Sequence, residues 1–348
     1  MLEAAFVGNR GVWLQANNLI NLNALSPQRV AAAGLSLSNP ANLTLLASPF
    51  NSAQVKAAGF TTPPYAGWPT TLTLAQALRP FPQFGNITVY GAPLGNSWYD
   101  ALQTKLTKRY SNGLQINATF TWQQELTTAE SAAVNDPFNR ALQKAVSANS
   151  QPLVLVVAYS YHLPVPGLGN KFAKAALHGW FLGGVLRYAS GTPIPVPTAN
   201  NNLSTVLPNL TTFANRVPGV PLFLNNLNCH CFNPNTTFVL NPAAWTDPAP
   251  GQFGTSAGFY NDYRYQRRPD EEMNFGRSFR LREGMSLEIR AEFFNVFNRT
   301  EVNNPTATNA LATQLVKNGQ TSSGFGYINN GSVAFGPRSG QIIAQFRF

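Results

Sequence analysis

Few residues in this chain stand in a pattern that does chemistry. Cys229-His230-Cys231 is the first. Thiolate and imidazole are zinc ligands, but a tetrahedral site takes four donors, and three at adjacent positions crowd one ion. The other two histidines, His162 and His178, lie far along the chain, so no metal site is expected. An oxidising compartment would favour a disulfide across the single intervening residue, which strain opposes; free thiols and a strained link are both open. Glu288 and Glu292 place two carboxylates on one face, as acid–base chemistry would need, yet Arg290 between them makes a ladder of compensated charge. Gly167-Leu168-Gly169 and Gly324-Phe325-Gly326 lack the strand-to-helix setting of a phosphate loop. No Ser/His/Asp or Cys/His set sits on elements that would bring it together, so neither catalysis nor a cofactor is expected. Tyr263, Arg264, Tyr265, Arg267 and Arg268 form the densest group suited to a ligand, since aromatic faces and guanidinium groups hold sugars or anions. A solvated loop is the more ordinary reading of the same residues.

The elements that must carry these residues are strands. Among 348 residues only 11% are charged, against about 25% in ordinary soluble domains, while there are 24 Phe, 27 Gly and 26 Pro. Mean hydropathy is −0.12 and no run of about 18 apolar residues occurs, so no spanning helix is expected. The formal charge of +10 raises nucleic-acid binding. Its basic residues are dispersed, however, and the groups Lys105, Lys108, Arg109 and Arg264, Arg267, Arg268 are small, so no nucleic-acid partner is expected. The opening residues lack the basic start, apolar core and cleavage site of an export signal, which leads to the expectation that Met1 is not the true start.

Alternation of period two identifies the strands. Over Met285–Phe297 the odd positions are mostly apolar, whereas Ser286, Glu288, Arg290 and Glu292 are polar. One oily and one charged face over such a length suits a strand between lipid and a wet lumen. Eight strands are expected at 2–8, 98–110, 114–126, 152–163, 178–190, 272–281, 285–298 and 340–348. The hairpin at Ser111-Asn112-Gly113 should pair Tyr110 with Leu114, Leu106 with Ala118 and Leu102 with Trp122. The hairpin at Arg282-Glu283-Gly284 should pair Leu281 with Met285 and Phe279 with Leu287, and bring Arg280 near Glu288. Gly183 and Gly184 suggest a bend. Short helices are expected over Pro27–Ala33 and Leu72–Leu78.

The connections then alternate strictly in length. The long ones are 9–97, 127–151, 191–271 and 299–339; the short ones are 111–113, 164–177 and 282–284. Transmembrane barrels segregate long outer loops from short periplasmic turns in this way. Tyr110, Tyr159, Tyr161, Trp180, Phe346 and Phe348 fall near the short-turn side, and Trp98 and Trp122 near the long-loop side, as two interfacial girdles would. Leu114, Ile116, Phe120, Trp122, Leu287, Ile289 and Phe293 are expected to face lipid. The fold class expected is all-β: about eight strands of an antiparallel transmembrane barrel, one domain over 1–348, with long extracellular loops, in the outer membrane.

The segments FVGNRG, RPFPQFGNITVY, NSWYDALQTKLTKRYSNGLQINATFTW and SLEIRAEFFNVFNRTEVNNP, with a terminal Phe348, resemble the Oar-like TonB-dependent outer-membrane receptors. The resemblance covers nearly the whole chain in patches. It implies a plugged barrel of about 22 strands, so these eight would be its carboxy-terminal part, expected to be inactive alone. It also implies a solute bound at the outer loops and imported as an inner-membrane motor pulls the plug. The implied partners are outer-membrane lipid and lipopolysaccharide, the barrel-assembly machinery reading Phe346 and Phe348, the TonB system through a plug this sequence does not show, and an unidentified solute. The alternative is a structural or adhesive surface protein that uses the barrel as an anchor.

Overall fold

The computed structural model describes residues 1–16, 20–128, 135–165, 170–201, 203, 212–229, 231–331 and 336–348. Eight long strands form one sheet: β1 (Leu2–Gln15), β2 (Pro93–Ser111), β3 (Leu114–Thr127), β4 (Leu153–His162), β5 (Trp180–Ala189), β6 (Asp270–Arg282), β7 (Met285–Phe294) and β8 (Ser339–Arg347). Each pairs antiparallel with its neighbours in chain order, and the two-residue strand Ala145–Val146 adds to the end of β3. Among the described residues the sheet is open: β1 pairs only with β2, and β8 only with β7. No helix among the described residues is long and apolar enough to cross a membrane.

Register makes the two faces continuous. Leu102 lies opposite Trp122, which lies opposite Leu153; Ala118 stands between Leu106 and Val157. The same face continues through Leu186 on β5, Met273 and Phe275 on β6, Ile289 and Phe293 on β7, and Ile342 and Phe346 on β8. The opposite face carries Gln103, Thr121, Asn274, Glu288, Arg290, Glu292 and Gln345. Because side chains alternate strictly along a strand, one unslipped register places eight apolar stripes side by side.

The hairpins differ from expectation close to their turns. Ser111, not Tyr110, pairs with Leu114, leaving a two-residue turn in which Asn112 and Gly113 both have positive φ (53° and 80°). Such a turn matches the twist of paired strands, and Asn-Gly tolerates it. The displaced residue is absorbed by a bulge between Lys108 and Ser111. In the second hairpin Arg282 pairs with Met285 and Leu281 is the extra residue, while the pairing of Phe279 with Leu287 holds. Pairing of Leu106 with Ala118 and Leu102 with Trp122 likewise holds.

Three further details correct the local reading. β7 ends at Phe294, because Asn295 takes φ 50° and its side chain accepts from the backbone N–H of Arg299 at 2.8 Å. Gly183 and Gly184 produce no register shift; a Cβ at Gly184 would run into the backbone carbonyl of Glu272 and crowd Tyr159. Glu288 pairs with Arg290 (3.0 Å) and Arg347 (3.4 Å), not with Arg280.

The buried core lies outside the sheet. Among the fully buried apolar residues only Ala101 and Ala189 belong to the eight strands. The rest occupy the long connections, which are folded rather than irregular. One core gathers Leu25, Val30, Leu46, Val55, Trp68 and Leu74 from the first connection, with Leu203 from the third. It is built on helices α1 (Pro27–Ala32), α2 (Pro40–Ala47), α3 (Ala53–Ala57) and α4 (Leu74–Ala77), of which α2 and α3 lack a sequence signal beyond Asn39 and Ser52 at their N-caps. The other core gathers Ile194, Leu240, Trp245 and Tyr263 with Phe325 and Ile328. Buried Asn135 ties in the second connection through Gly254 O (2.7 Å), Ser256 O (2.9 Å) and the N–H of Phe213 (2.9 Å). The four long connections therefore form one cap. On the other side of the sheet lie the two hairpin turns and the short helix α5 (Lys171–Leu177).

Candidate functional site

The aromatic and basic group expected to bind a ligand divides into three roles. The short strand Phe259–Arg264 pairs with Pro193–Pro195, and alternation sends Tyr263 and Arg264 to opposite sides. Tyr263 is 0% exposed, packed 5.4 Å from the ring of Trp245 and 5.6 Å from that of Phe223. Burial pushes its phenol well above the usual range, so it serves the core and not a ligand. Arg264 is spent on the cap's backbone: it donates to Asn261 O (2.8 Å), Ser150 O (2.5 Å), Gly191 O (3.0 Å) and Asn261 Oδ1 (2.7 Å). Its partners are all neutral, so its charge is uncompensated, and burial lowers its pKa. Arg268 donates to Asn304 Oδ1 at 2.9 Å and lies 3.8 Å from Glu301. Arg267 is exposed to open space, and Tyr265 packs partly against the core while lining the same space.

That space is two adjoining cavities. The larger, of about 520 Å³, is lined by Asn225, Asn226, Asn228, Asn261, Asp262, Tyr265 and Arg267 among others. The smaller, of about 250 Å³, is lined by Tyr188, Ala189, Asn228, Gln266, Arg267, Pro269 and Arg299. Asn228 and Arg267 belong to both. Asp262 is held by Arg216 in a bidentate pair at 3.1 and 2.6 Å, so it brings no net charge, and that bond raises the guanidinium pKa. The guanidinium of Arg267 makes no ion pair or hydrogen bond among the described residues.

The asparagines are what sequence reading missed. Asn225-Asn226-Leu227-Asn228 was visible only as composition; no periodicity marks a loop that lines a cavity. The cysteines follow directly and are joined in a disulfide, so neither sulfur is a thiolate ligand. His230 lies outside the described residues, as does Gly167-Leu168-Gly169. Phe325 of the second glycine pair is core.

At the rim of the sheet Glu271 accepts from Tyr188 Oη (2.8 Å) and from Arg299 (2.6 and 2.9 Å), closing the apolar face where the cap begins. On the polar face Arg290 donates to Glu292 (2.7 Å) and Glu288 (3.0 Å), and Gln341 donates to Glu292 (2.7 Å), the charge ladder expected. Leu114, Ile116, Phe120, Trp122, Leu287, Ile289 and Phe293 share the apolar face, with Trp122 61% exposed. Phe346 and Phe348 stack 6.1 Å apart at the end of β8.

An antiparallel meander with one oily and one charged face, capped on one side by its long connections, is the architecture of an outer-membrane β-barrel. A family model described as an outer membrane beta barrel domain matches residues 1–341, and the chain belongs to that family. It is an integral outer-membrane protein. No curated protein matches it.

Proposed function

We propose that this chain is the carboxy-terminal part of a TonB-dependent receptor that binds a solute in its cap and imports it through a plugged barrel. The observation that carries this reading is the pair of cavities at Asn228 and Arg267, polar, aromatic and cationic, set where the cap meets the ends of β5 and β6. The apolar face, with Leu114, Ile116, Phe120, Trp122, Leu287, Ile289 and Phe293, meets lipid; the face with Glu288, Arg290 and Glu292 lines the lumen. The cap is extracellular and the hairpin turns periplasmic. Phe346 and Phe348 engage the barrel-assembly machinery.

The two unpaired edges support a larger barrel. In lipid each unsatisfied backbone group costs several kcal/mol, so β1 and β8 need further strands beside them. Residues 1–348 refolded into liposomes are therefore expected to give no stable, selective pore; a heat-modifiable, solute-selective one would contradict this. The rival reading, a surface adhesin with the barrel as anchor, draws on the rigid cores of the cap. Deleting the whole gene separates the two. Loss of energised solute uptake supports the receptor; normal uptake with altered surface attachment supports the adhesin.

A further inference from the structure

Gln266 is 6% exposed, and its Oε1 has no hydrogen-bond partner among the described residues. It lines the smaller cavity. That oxygen is closed off from solvent, so Gln266 forms part of the cavity wall and does not present an acceptor to a ligand. Beside it stands Arg267, whose charge nothing among the described residues compensates. Arg264, satisfied only by neutral oxygens, adds a second positive charge to the larger cavity, whereas Asp262 and Arg299 are each neutralised within an ion pair. Asn226 and Asn228 have their side-chain oxygens occupied by the N–H groups of Asn228 (2.9 Å) and Arg267 (2.8 Å), while their amide N–H groups have no partner among the described residues. Tyr265 contributes an aromatic ring.

We propose that the joined cavities form one site for a carbohydrate carrying an anionic substituent: hydroxyls accept from the asparagine amides, and a carboxylate or phosphate rests on Arg267. Amides and an aromatic ring suit a sugar's hydroxyls and its apolar face. A guanidinium free to make two parallel bonds suits an oxyanion. The proposal rests on the cap being a solute-binding surface but names what it binds. The sugar could be a free solute or the headgroup of an outer-leaflet glycolipid, since Tyr188 of the smaller cavity stands on the sheet's apolar face.

The test is direct binding to the purified full-length receptor in neutral detergent. The probes are matched acidic and neutral disaccharides, uronate-terminated against unmodified, in gluco, galacto and manno configurations. At least one acidic member should bind saturably and about tenfold or more tighter than its neutral partner, the scale of one charge-assisted hydrogen bond. Arg267→Gln should abolish the difference, weakening the acidic member far more than the neutral one. Asn226→Ala should weaken both members equally. Wild-type heat-modifiable mobility of each variant establishes that it has folded. Displacement of the acidic probe by lipopolysaccharide, dependent on Arg267, identifies the headgroup as the source; failure to displace identifies a free solute. Acidic and neutral partners binding alike, or discrimination surviving Arg267→Gln, overturns the acidic assignment. Energised uptake remains a separate measurement, so the receptor reading stands or falls on its own.

Discussion

The backbone N–H of Arg267 donates to Asn228 Oδ1 at 2.8 Å, joining the two residues that line both cavities. They come from segments almost forty positions apart, and this bond sets the guanidinium at the junction. Asn228→Ala should speed hydrogen exchange at the Arg267 amide and leave the amides of β2 to β4 unchanged. Uniform exchange across cap and sheet would show that the bond does not hold the junction.

The face assignment predicts an asymmetry between adjacent residues. Phe120 and Thr119 are neighbours on β3 with opposite orientation. Phe120→Arg should cost about 2–4 kcal/mol near the membrane midplane, and Thr119→Arg little. Refolding yield and heat-modifiable mobility in lipid check this; equal yields would reverse or abolish the faces.

Orientation is open to labelling in intact cells. A cysteine at exposed Lys317 in the cap should react with an impermeant maleimide, and one at Glu283 in the turn between β6 and β7 should not. Reaction at Glu283 alone would place the cap in the periplasm.

Glu301 gives the cap a pH dependence. Burial raises its carboxyl to about 7, only partly opposed by Arg268 and Arg299, and its Oε2 lacks a hydrogen-bond partner among the described residues. A carboxyl with a raised folded-state pKa binds more protons folded than unfolded. Its stabilising contribution is complete below the ordinary carboxylate range and is lost as pH climbs through about 7. Protease resistance of the cap should therefore fall from pH 5 to pH 8, and Glu301→Gln should flatten that profile and raise resistance at pH 8. An unchanged profile in the variant would assign the dependence elsewhere.

Because the buried core belongs to the cap, cap and sheet should fail separately. Phe325 is fully buried, and Phe325→Ala should destabilise the cap by about 3–5 kcal/mol. Limited proteolysis should then cut between 191 and 269 while the strands remain protected. Loss of the strands together with the cap would show that the two fold as one unit.

Sequence alone determined which eight segments are strands and how their faces point, though β1, expected over 2–8, runs on to Gln15, and β2, expected from Trp98, begins at Pro93. Alternation is built into each residue's covalent geometry, so Leu287, Ile289 and Phe293 declare their side without reference to any partner. Lengths of connection fell out once the strands were placed, and with them the side on which the cap would stand. Registers in mid-strand followed, since a slip of one residue would turn every oily side chain to the polar face. Near the turns that constraint is weaker, and the backbone conformation of Asn112 and Gly113 decided the pairing instead. The cap was decided only by tertiary structure. Its contacts join Asn135 to Gly254, Leu203 to the first connection and Asn228 to Arg267, and no local period encodes meetings between distant, aperiodic segments. Tyr263 shows the limit most clearly. Its neighbours in sequence are cationic and polar, but its side chain is claimed by Trp245 and Phe223, so a residue that reads as a ligand platform is the centre of a dry core.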